Sequence, residues 1–286
     1  MDHFYFAADK SRVDKALAEK EANILFSAAA SWNSRSRKFY IPKNLHGAKR
    51  IFIDSGGFTF RKAGKYPFSL EEYLNYVKEF VHTYPQVIAI ATPDYPCTDE
   101  PDCNARENIK NTLNTAFEII YELNPFGLDI DWYIPLHGKT LEDYIYSIES
   151  FCKPREEAIY ANEDTVDFNP EQEEMLYDFF ENEWLQVNYH IALGSLKRLT
   201  EKEIVQICKT ARELLPSKLK IHGFGLPLSK LKNPEIIKAI DSADSAAWRF
   251  GIADKEKKIE AYHLYQDKIN SLVRNYRFQR TLASYL

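Results

Sequence analysis

Residues 51–58 read Ile51-Phe52-Ile53-Asp54-Ser55-Gly56-Gly57-Phe58. A short apolar run, typical of a strand buried on both faces, is followed at once by a carboxylate and then by small residues. Such an ending leaves open space beside an acidic side chain. The segment therefore predicts a strand of a parallel sheet with a polar site at its carboxyl end.

Seven further apolar runs recur along the chain, and helix-length amphipathic segments separate most of them. This alternation predicts a parallel sheet with right-handed crossovers, and eight repeats predict closure into a (β/α)8 TIM barrel of the α/β class. The predicted strands are Phe4–Ala7, Ile24–Ala28, Arg50–Ile53, Val87–Ala91, Asp131–Leu136, His190–Leu193, Leu219–His222 and Ser242–Ser245.

Several helices have recognisable amino-terminal caps. Ser69–Glu72 and Thr200–Glu203 match the capping box, in which a Ser or Thr precedes a Glu by three residues, and Thr140–Asp143 is a weaker version. Asn104–Leu123 has a long helical pattern that Asn124-Pro125 ends. These caps predict helices in the crossover connections.

One domain is predicted for residues 1–286, because this length suits a single barrel and no Pro- or Ser-rich linker interrupts it. Residues 153–188, between the fifth and sixth strands, are acidic and longer than a crossover needs. They predict an insertion with a solvated helix near Pro170–Trp184. Residues 255–286 predict a long terminal helix with a basic end.

The bulk composition excludes several classes of protein. A net charge of −5 argues against a protein that coats nucleic acid non-specifically, although a local basic patch is compatible with it. No apolar run approaches the length of a membrane span, and the start Met1-Asp2-His3 does not resemble a signal peptide. The four cysteines form no zinc-ligand pattern and are expected to be free thiols. The sequence predicts a cytoplasmic protein, in the host cytoplasm if viral, without a metal.

Polar or glycine-rich residues follow six consecutive predicted strands. In a (β/α)8 barrel these ends share one face, which carries the active site. Each residue alone has a structural explanation, since an Asp after a strand often caps the next helix and a buried His often bonds to backbone. The whole set indicates a site. The segments are Asp54–Phe58, Thr92–Pro96, Leu136–Gly138, Gly194–Leu196, His222–Pro227 and Asp244-Ser245.

The order of these motifs resembles the tRNA-guanine transglycosylase superfamily, (β/α)8 barrels that exchange guanine in a polynucleotide for a 7-deazaguanine. Asp54–Phe58 is similar to the D-S-G-G-F/Y signature of that superfamily and is the most specific match. Five other segments resemble, in order, its base-recognition Asp segment, its Q-G-G turn (with His137 in place of Gln), its G-G-L turn (with Ser195 in place of Gly), its G-x-G-x-P motif and its nucleophile segment. They are Ala91–Asp94, Pro135–Gly138, Ala192–Leu196, Gly223–Pro227 and Ala243–Ala247.

Two differences from the tRNA enzymes indicate which branch of the superfamily the sequence resembles. The tRNA enzymes carry a C-x-C-x-x-C zinc site near the carboxyl terminus, whereas no Cys follows Cys208 here, and the chain is shorter than those enzymes. Both features resemble the compact phage and bacterial DNA-guanine transglycosylases. The expected function is therefore exchange of guanine in DNA for a free, preQ0-like 7-deazaguanine base, without a cofactor.

The resemblance implies a double displacement at C1′ of the target nucleotide. Asp244 is the expected nucleophile that forms a covalent glycosyl intermediate, and Asp54 is the expected general acid and base. Polar groups would read the base edges, while Phe58 and His222 would sandwich its ring. The expected base-binding residues are Ser55, Phe58, Asp94, His137, Gly194, Ser195 and His222.

A target nucleotide must leave the base stack to enter such a site, and local cations must contact its phosphates. Three arginines follow one side of the terminal helix, although a basic helix end is also favoured by the helix macrodipole. The candidates are Arg35, Arg37, Lys38, Lys197, Arg198, Arg249, Arg274, Arg277 and Arg280.

Three alternative functions stay open at this point. The first is a tRNA-guanine transglycosylase of the queuosine or archaeosine type that lacks the zinc module. The second is a non-catalytic barrel that binds nucleic acid or partners an active subunit, and the third is a glycosidase or nucleoside hydrolase. The sequence leaves open the 7-substituent, the target sequence, the strandedness and the oligomeric state.

Overall fold

The computed structural model describes residues 1–7, 16–98, 100, 103–123, 130–152 and 189–283. Eight parallel strands pair in a closed ring, which confirms the predicted TIM-barrel-like architecture. Two short strands, β3 and β4, form a separate antiparallel hairpin. The strands are β1 (His3–Ala7), β2 (Asn23–Ser27), β3 (Trp32–Asn33), β4 (Lys38–Phe39), β5 (Arg50–Asp54), β6 (Val87–Ala91), β7 (Asp131–Leu136), β8 (Tyr189–Leu193), β9 (Ile221–Gly223) and β10 (Ser242–Ser245).

The strand β5 shows why the barrel strands are apolar along their whole length. Ile51 and Ile53 pack in the layer between the barrel and its helices, whereas Phe52 points into the barrel interior. There its ring lies 5.6 Å from that of Tyr5 and 4.9 Å from that of Tyr133, measured between ring centroids. Both faces are therefore buried, and the interior is a packed core.

The crossover helices begin where the caps predict. In the helix at 70–83, the Glu72 N–H donates to Ser69 Oγ over 3.1 Å, and the Ser69 N–H donates to Glu72 over 2.7 Å. The same reciprocal bonds cap the helix at 201–214, and Thr140 with Asp143 caps the helix at 141–152. The helices are α1 (Gly57–Phe60), α2 (Leu70–Thr83), α3 (Ala105–Leu123), α4 (Leu141–Cys152), α5 (Glu201–Leu214), α6 (Leu228–Leu231), α7 (Pro234–Ala239) and α8 (Lys255–Ala283).

The predicted elements differ from the observed ones mainly at their ends. The seventh barrel strand begins at Ile221 instead of Leu219, because Leu219 closes a turn by donating its N–H to the Pro216 carbonyl over 3.0 Å. The predicted acidic insertion at 153–188, with its helix, lies outside the described residues. None of the helices in the described ranges has an apolar stretch of the length that crossing a bilayer requires.

We expect Thr200→Ala to lower the free energy of unfolding by about 1 kcal/mol, because the amino-terminal N–H groups of α5 lose their side-chain acceptor. Urea denaturation monitored by circular dichroism measures this change. Ser217→Ala, at an exposed position before β9, is the control and should stay within about 0.5 kcal/mol of the wild type. Equal stability of the two variants would show that the capping box contributes nothing.

Candidate active site

Three carboxylates gather at the carboxyl-terminal end of the barrel. Asp54 ends β5, Asp94 follows β6, and Asp244 lies in β10. Burial raises the pKa of Asp54 to about 7, and the negative charges of Asp94 and Asp244 add to the effect, while hydrogen bonds from Ser27 and the Gly56 N–H oppose it. A carboxyl group with this pKa can both donate and accept a proton near neutral pH.

Asp244 is buried and held from two sides. The Gly225 N–H, in the loop after β9, donates to Asp244 Oδ1 over 2.8 Å. His222 Nε2 lies 3.3 Å from the same oxygen, and His222 Nδ1 lies 2.8 Å from Ser242 Oγ. These contacts fix the orientation of the Asp244 carboxylate.

Asp94 is the centre of a second group of contacts. Ser55 Oγ donates to Asp94 Oδ1 over 2.6 Å, and His137 Nε2 lies 2.7 Å from Asp94 Oδ2. The Tyr66 hydroxyl lies 3.3 Å from Oδ1 and also accepts the Asp94 N–H over 2.9 Å. Both carboxylate oxygens are therefore bonded within the protein, and each keeps further lone-pair capacity for a ligand.

The turn after β8 supports His137. The Gly194 N–H donates to the Leu136 carbonyl over 2.9 Å, and the Gly194 carbonyl accepts the Tyr144 hydroxyl. Ser195 has a φ of 58°, an unusual left-handed conformation for a non-glycine residue. Its hydroxyl donates to the Cys97 carbonyl over 3.0 Å and lies 3.4 Å from His137 Nδ1.

Two glycines of the sequence motifs are required by close approach. A Cβ atom on Gly57 would overlap the carboxylate and the carbonyl of Asp94. A Cβ atom on Gly194 would overlap the imidazole of His137. In both places the absence of a side chain admits a polar group of the site, which is the physical reason for glycine there.

The expected sandwich of a base between Phe58 and His222 does not match this arrangement. His222 has no accessible surface and lies inside the barrel, with its ring 4.8 Å from Phe52 and 4.7 Å from Phe224. Phe58 is 67% exposed and carries the Arg61 guanidinium 3.8 Å above its ring. The structure does not bring the two rings to opposite sides of one space, because His222 orients Asp244 from below.

A cavity of about 290 Å³ adjoins Asp94, between the loops that follow β5 and β6. Tyr66 and Asp94 form part of its wall, and Arg61 and Lys65 bring positive charge to it. Its volume is at the lower end of the range for small-molecule sites. The other lining residues are Gly57, Phe60, Ala63, Gly64, Tyr95, Pro96, Thr98, Glu100, Cys103 and Asn108.

Cations and exposed aromatic rings alternate along the rim of the mouth. In the loop after β8, the Lys197 ammonium lies 4.8 Å from the ring of Phe250, which is 56% exposed. Arg61 covers Phe58 in the same manner on the loop after β5. Arg35, Arg37 and Lys38 are exposed on the β3–β4 hairpin that follows β2.

The other residues that were predicted to contact phosphates do not all lie at the same end of the barrel. Arg198 donates to the Cys97 carbonyl, and Arg249 is partly buried just after β10, so both are near the mouth. Arg274 lines a different cavity, of about 470 Å³, with Met1, Asp2 and His3 at the amino-terminal ends of the strands.

The helix α8 explains this position. Tyr262, near its start, packs against Trp248 at the mouth, whereas Ile269 and Arg274, further along the helix, line the cavity at the opposite end. Arg274 therefore cannot contact a substrate at Asp244, contrary to the expectation for this arginine. The backbone of α8 continues in the same direction through Arg277 and Arg280, whose side chains lie outside the described part of the structure.

Three groups of the site were not predicted from the sequence. Tyr66 bonds to Asp94, the Gly225 N–H orients Asp244, and Phe224 closes the barrel interior above His222. Gly225 belongs to a motif that the sequence does single out. Tyr66 has no such signal, because one tyrosine in a chain with 18 of them is not distinctive.

No protein-family model matches the sequence, and no curated protein is significantly similar to it. Within the described ranges, no group of three or more His, Cys, Asp or Glu side chains is arranged to hold a metal ion.

We expect the Asp54 carboxyl to titrate near pH 7, in a ¹³C NMR titration assigned by the loss of its signal in Asp54→Asn. Asp244→Asn should lower this pKa by removing a negative neighbour, whereas Asp254→Asn, at an exposed helix cap, should not change it. A carboxyl that titrates at its ordinary value of 3.8 would contradict the burial of Asp54.

The same shift predicts a pH dependence of stability. The folded-state pKa is raised, so the contribution of Asp54 to stability is complete below pH 3.8 and is lost as the pH rises through about 7. Asp54→Asn removes the ionisation and should therefore flatten this part of the stability profile. Urea denaturation at a series of pH values measures it, and parallel profiles for the two proteins would refute the prediction.

We expect Gly194→Ala to destabilise the protein more than Gly64→Ala, because only the first substitution forces a side chain against the His137 ring. At Gly64 no atom lies within 4 Å of the added Cβ, so that variant reports the backbone cost of its φ of 64° alone. Thermal unfolding of both variants gives the comparison. Similar losses would mean that the His137 ring moves aside without cost.

Proposed function

We propose that this protein is a DNA-guanine transglycosylase, which exchanges guanine in DNA for a free 7-deazaguanine base through a covalent glycosyl intermediate on Asp244. The observation that carries the proposal is the meeting of Asp54, Asp94 and Asp244 in one barrel mouth, with the pKa of Asp54 near 7. Base exchange needs a nucleophile, a proton shuttle and a group that accepts hydrogen bonds from guanine, and the three carboxylates supply one each.

Asp244 is suited to the nucleophilic step. Its Oδ1 accepts the Gly225 N–H and faces His222, so these groups bind one oxygen and leave the other for C1′ of the nucleotide. Attack by that oxygen expels guanine and forms an ester-like glycosyl bond. The incoming base then attacks C1′ from the opposite face to Asp244, which restores the original configuration.

Asp54 is suited to the proton transfers. Guanine needs a proton to leave as a neutral base, and the incoming base must lose a proton to form its glycosidic bond. A carboxyl group with a pKa of about 7 is present in both forms near neutral pH, so Asp54 can serve both half-reactions in turn. No external acid is consumed, because the proton given in the first step returns in the second.

Asp94 is suited to reading the base. Guanine and 7-deazaguanines share a ring N–H beside an exocyclic amine, and a carboxylate accepts both hydrogens. Asp94 is held by Ser55 Oγ over 2.6 Å, and it borders a cavity that continues towards Tyr66. This position favours a purine-like substrate over a plain sugar.

The rim favours a polymer over a free nucleoside. Phe58 with Arg61 and Phe250 with Lys197 each combine an exposed ring with a cation. Rings of this kind stack on unpaired bases and neighbouring cations contact phosphates, which is the usual chemistry of single-stranded nucleic-acid binding. A glycosidase or nucleoside hydrolase does not need exposed rings and cations of this kind around its active site.

The cost of the site argues against a non-catalytic barrel. Grouping three carboxylates and burying one of them so that its pKa rises to about 7 destabilises the folded state at neutral pH. A barrel that only binds a partner does not need a carboxyl group with a raised pKa, whereas destabilising groups of this type are common at catalytic sites.

Exchange is tested with labelled guanine and, in separate reactions, single-stranded DNA, duplex DNA and tRNA. We expect label to enter DNA, and Asp244→Ala to reduce the rate on the order of a thousandfold or more. A covalent protein–DNA adduct should be visible on a denaturing gel for the wild type and absent for Asp244→Asn. Asp254→Asn, an exposed Asp whose amide can still cap α8, is the matched control and should exchange at the wild-type rate.

Each contrary result has a distinct meaning. Label in tRNA alone would identify a tRNA-directed enzyme with the same chemistry. Label in no polymer, with guanine or with a 7-deazaguanine, would reject the transglycosylase proposal. Exchange by Asp244→Ala at the wild-type rate would reject Asp244 as the nucleophile.

A further inference from the structure

A chain of polar contacts crosses the mouth of the barrel beneath its surface. It connects the loops after four neighbouring strands, β5 to β8, and every link is a hydrogen-bond distance between side chains. Its members, in order, are Tyr66, Ser55, Asp94, His137 and Ser195.

His137 is placed to hold Asp94 and has no free group for reading a base. It is 3% exposed, its Nε2 lies 2.7 Å from Asp94 Oδ2, and its Nδ1 lies 3.4 Å from Ser195 Oγ. One edge of the ring lies against Gly194, where even a Cβ atom would not fit. Both ring nitrogens and the adjacent space are thus occupied by protein.

The carboxylate determines the role of one ring nitrogen of His137. An ionised Asp94 oxygen can only accept a hydrogen bond, so His137 Nε2, 2.7 Å from Oδ2, donates to it. Ser195 Oγ lies 3.4 Å from Nδ1, on the other side of the ring. The hydroxyl of Ser195 is itself 3.0 Å from the Cys97 carbonyl.

We infer that His137 is a positioning residue that fixes the Asp94 carboxylate and thereby sets the preference for a base with both a ring N–H and an exocyclic amine. The inference rests on the proposed function. Ser55 restrains Oδ1 of Asp94 and His137 restrains Oδ2, so the carboxylate cannot rotate about its Cβ–Cγ bond without breaking a charge-assisted hydrogen bond.

A Gln amide at the position of His137 can also donate a hydrogen bond to the Asp94 carboxylate. The variant His137→Gln therefore keeps a donor for Asp94 while it removes the imidazole ring.

Guanine and hypoxanthine provide the test, because they differ only in the exocyclic amine. The KM of labelled guanine and the inhibition constant of hypoxanthine are measured in the exchange reaction. For His137→Ala we expect the KM of guanine to rise about tenfold or more, the inhibition constant of hypoxanthine to change by less than about twofold, and kcat to fall much less than KM rises.

Two variants make the kinetic result specific. His137→Gln should recover most of the discrimination, since its amide nitrogen reaches the position of Nε2. His190→Ala removes a matched buried histidine, which lies 3.3 Å from Asp131 at the opposite end of the barrel. It should lower thermal stability while leaving the guanine-to-hypoxanthine ratio unchanged.

A measurement without substrate tests the contact between His137 and Asp94. Long-range ¹H–¹⁵N spectra of the free protein should show a hydrogen on His137 Nε2, and Asp94→Asn should shift the Nε2 signal. An Nε2 atom without a hydrogen would overturn the inference.

The kinetic results distinguish this inference from the proposed function. An unchanged guanine-to-hypoxanthine ratio in His137→Ala, in an enzyme that exchanges guanine, overturns the inference and leaves the function standing. A His137→Gln variant that behaves like His137→Ala has the same meaning. A wild-type protein that exchanges no base rejects the function and the inference together.

Discussion

The candidate site depends on the closure of the barrel by β1, which pairs in parallel with both β2 and β10. Without these pairs, β5 and β10 would be far apart, and Asp54 and Asp244 would not influence each other. Closure is supported by the ring packing inside, where Tyr5 of β1 contacts Phe52 of β5 and His222 of β9. The same aromatic layer that stabilises the barrel therefore forms the floor of the site.

Negative charge at the mouth is the main electrostatic cost of this arrangement, and the protein offsets it unequally. Asp244 receives a backbone N–H and faces His222, and Asp94 receives hydrogen bonds from Ser55 and His137. Burial, together with the charges of Asp94 and Asp244, raises the pKa of Asp54, although Ser27 and the Gly56 N–H donate hydrogen bonds to it. Three chemically identical side chains thus acquire different properties from their surroundings, which allows one residue type to fill several roles.

The sequence predicted the barrel well, because a buried parallel strand has a signal that tertiary packing does not override: an apolar run that ends in polar or small residues. The starts of the helices after Ser69 and Thr200 are decided locally by caps, so the same reasoning predicted them. The turn at Leu219, which delays the start of β9 to Ile221, was missed.

The sequence did not predict the direction in which individual side chains point. His222 was expected beside a ligand, yet it is buried inside the barrel. The alternation of side chains along a strand predicts which face of the sheet a residue lies on, but not which residues surround it there. Tyr66 was missed because its contacts come from another loop, and Arg274 was expected at the mouth because periodicity gives the face of a helix and not the end of the barrel that it reaches.

The pairing of cations with rim aromatics has a consequence for the protein when it is alone in solution. Phe58 and Phe250 are the kind of large, exposed apolar groups that promote self-association, and Arg61 and Lys197 each place a positive charge against one of these rings. Under the proposed function, a nucleobase that stacks on either ring would take the place of its cation, which would then become available to a neighbouring phosphate.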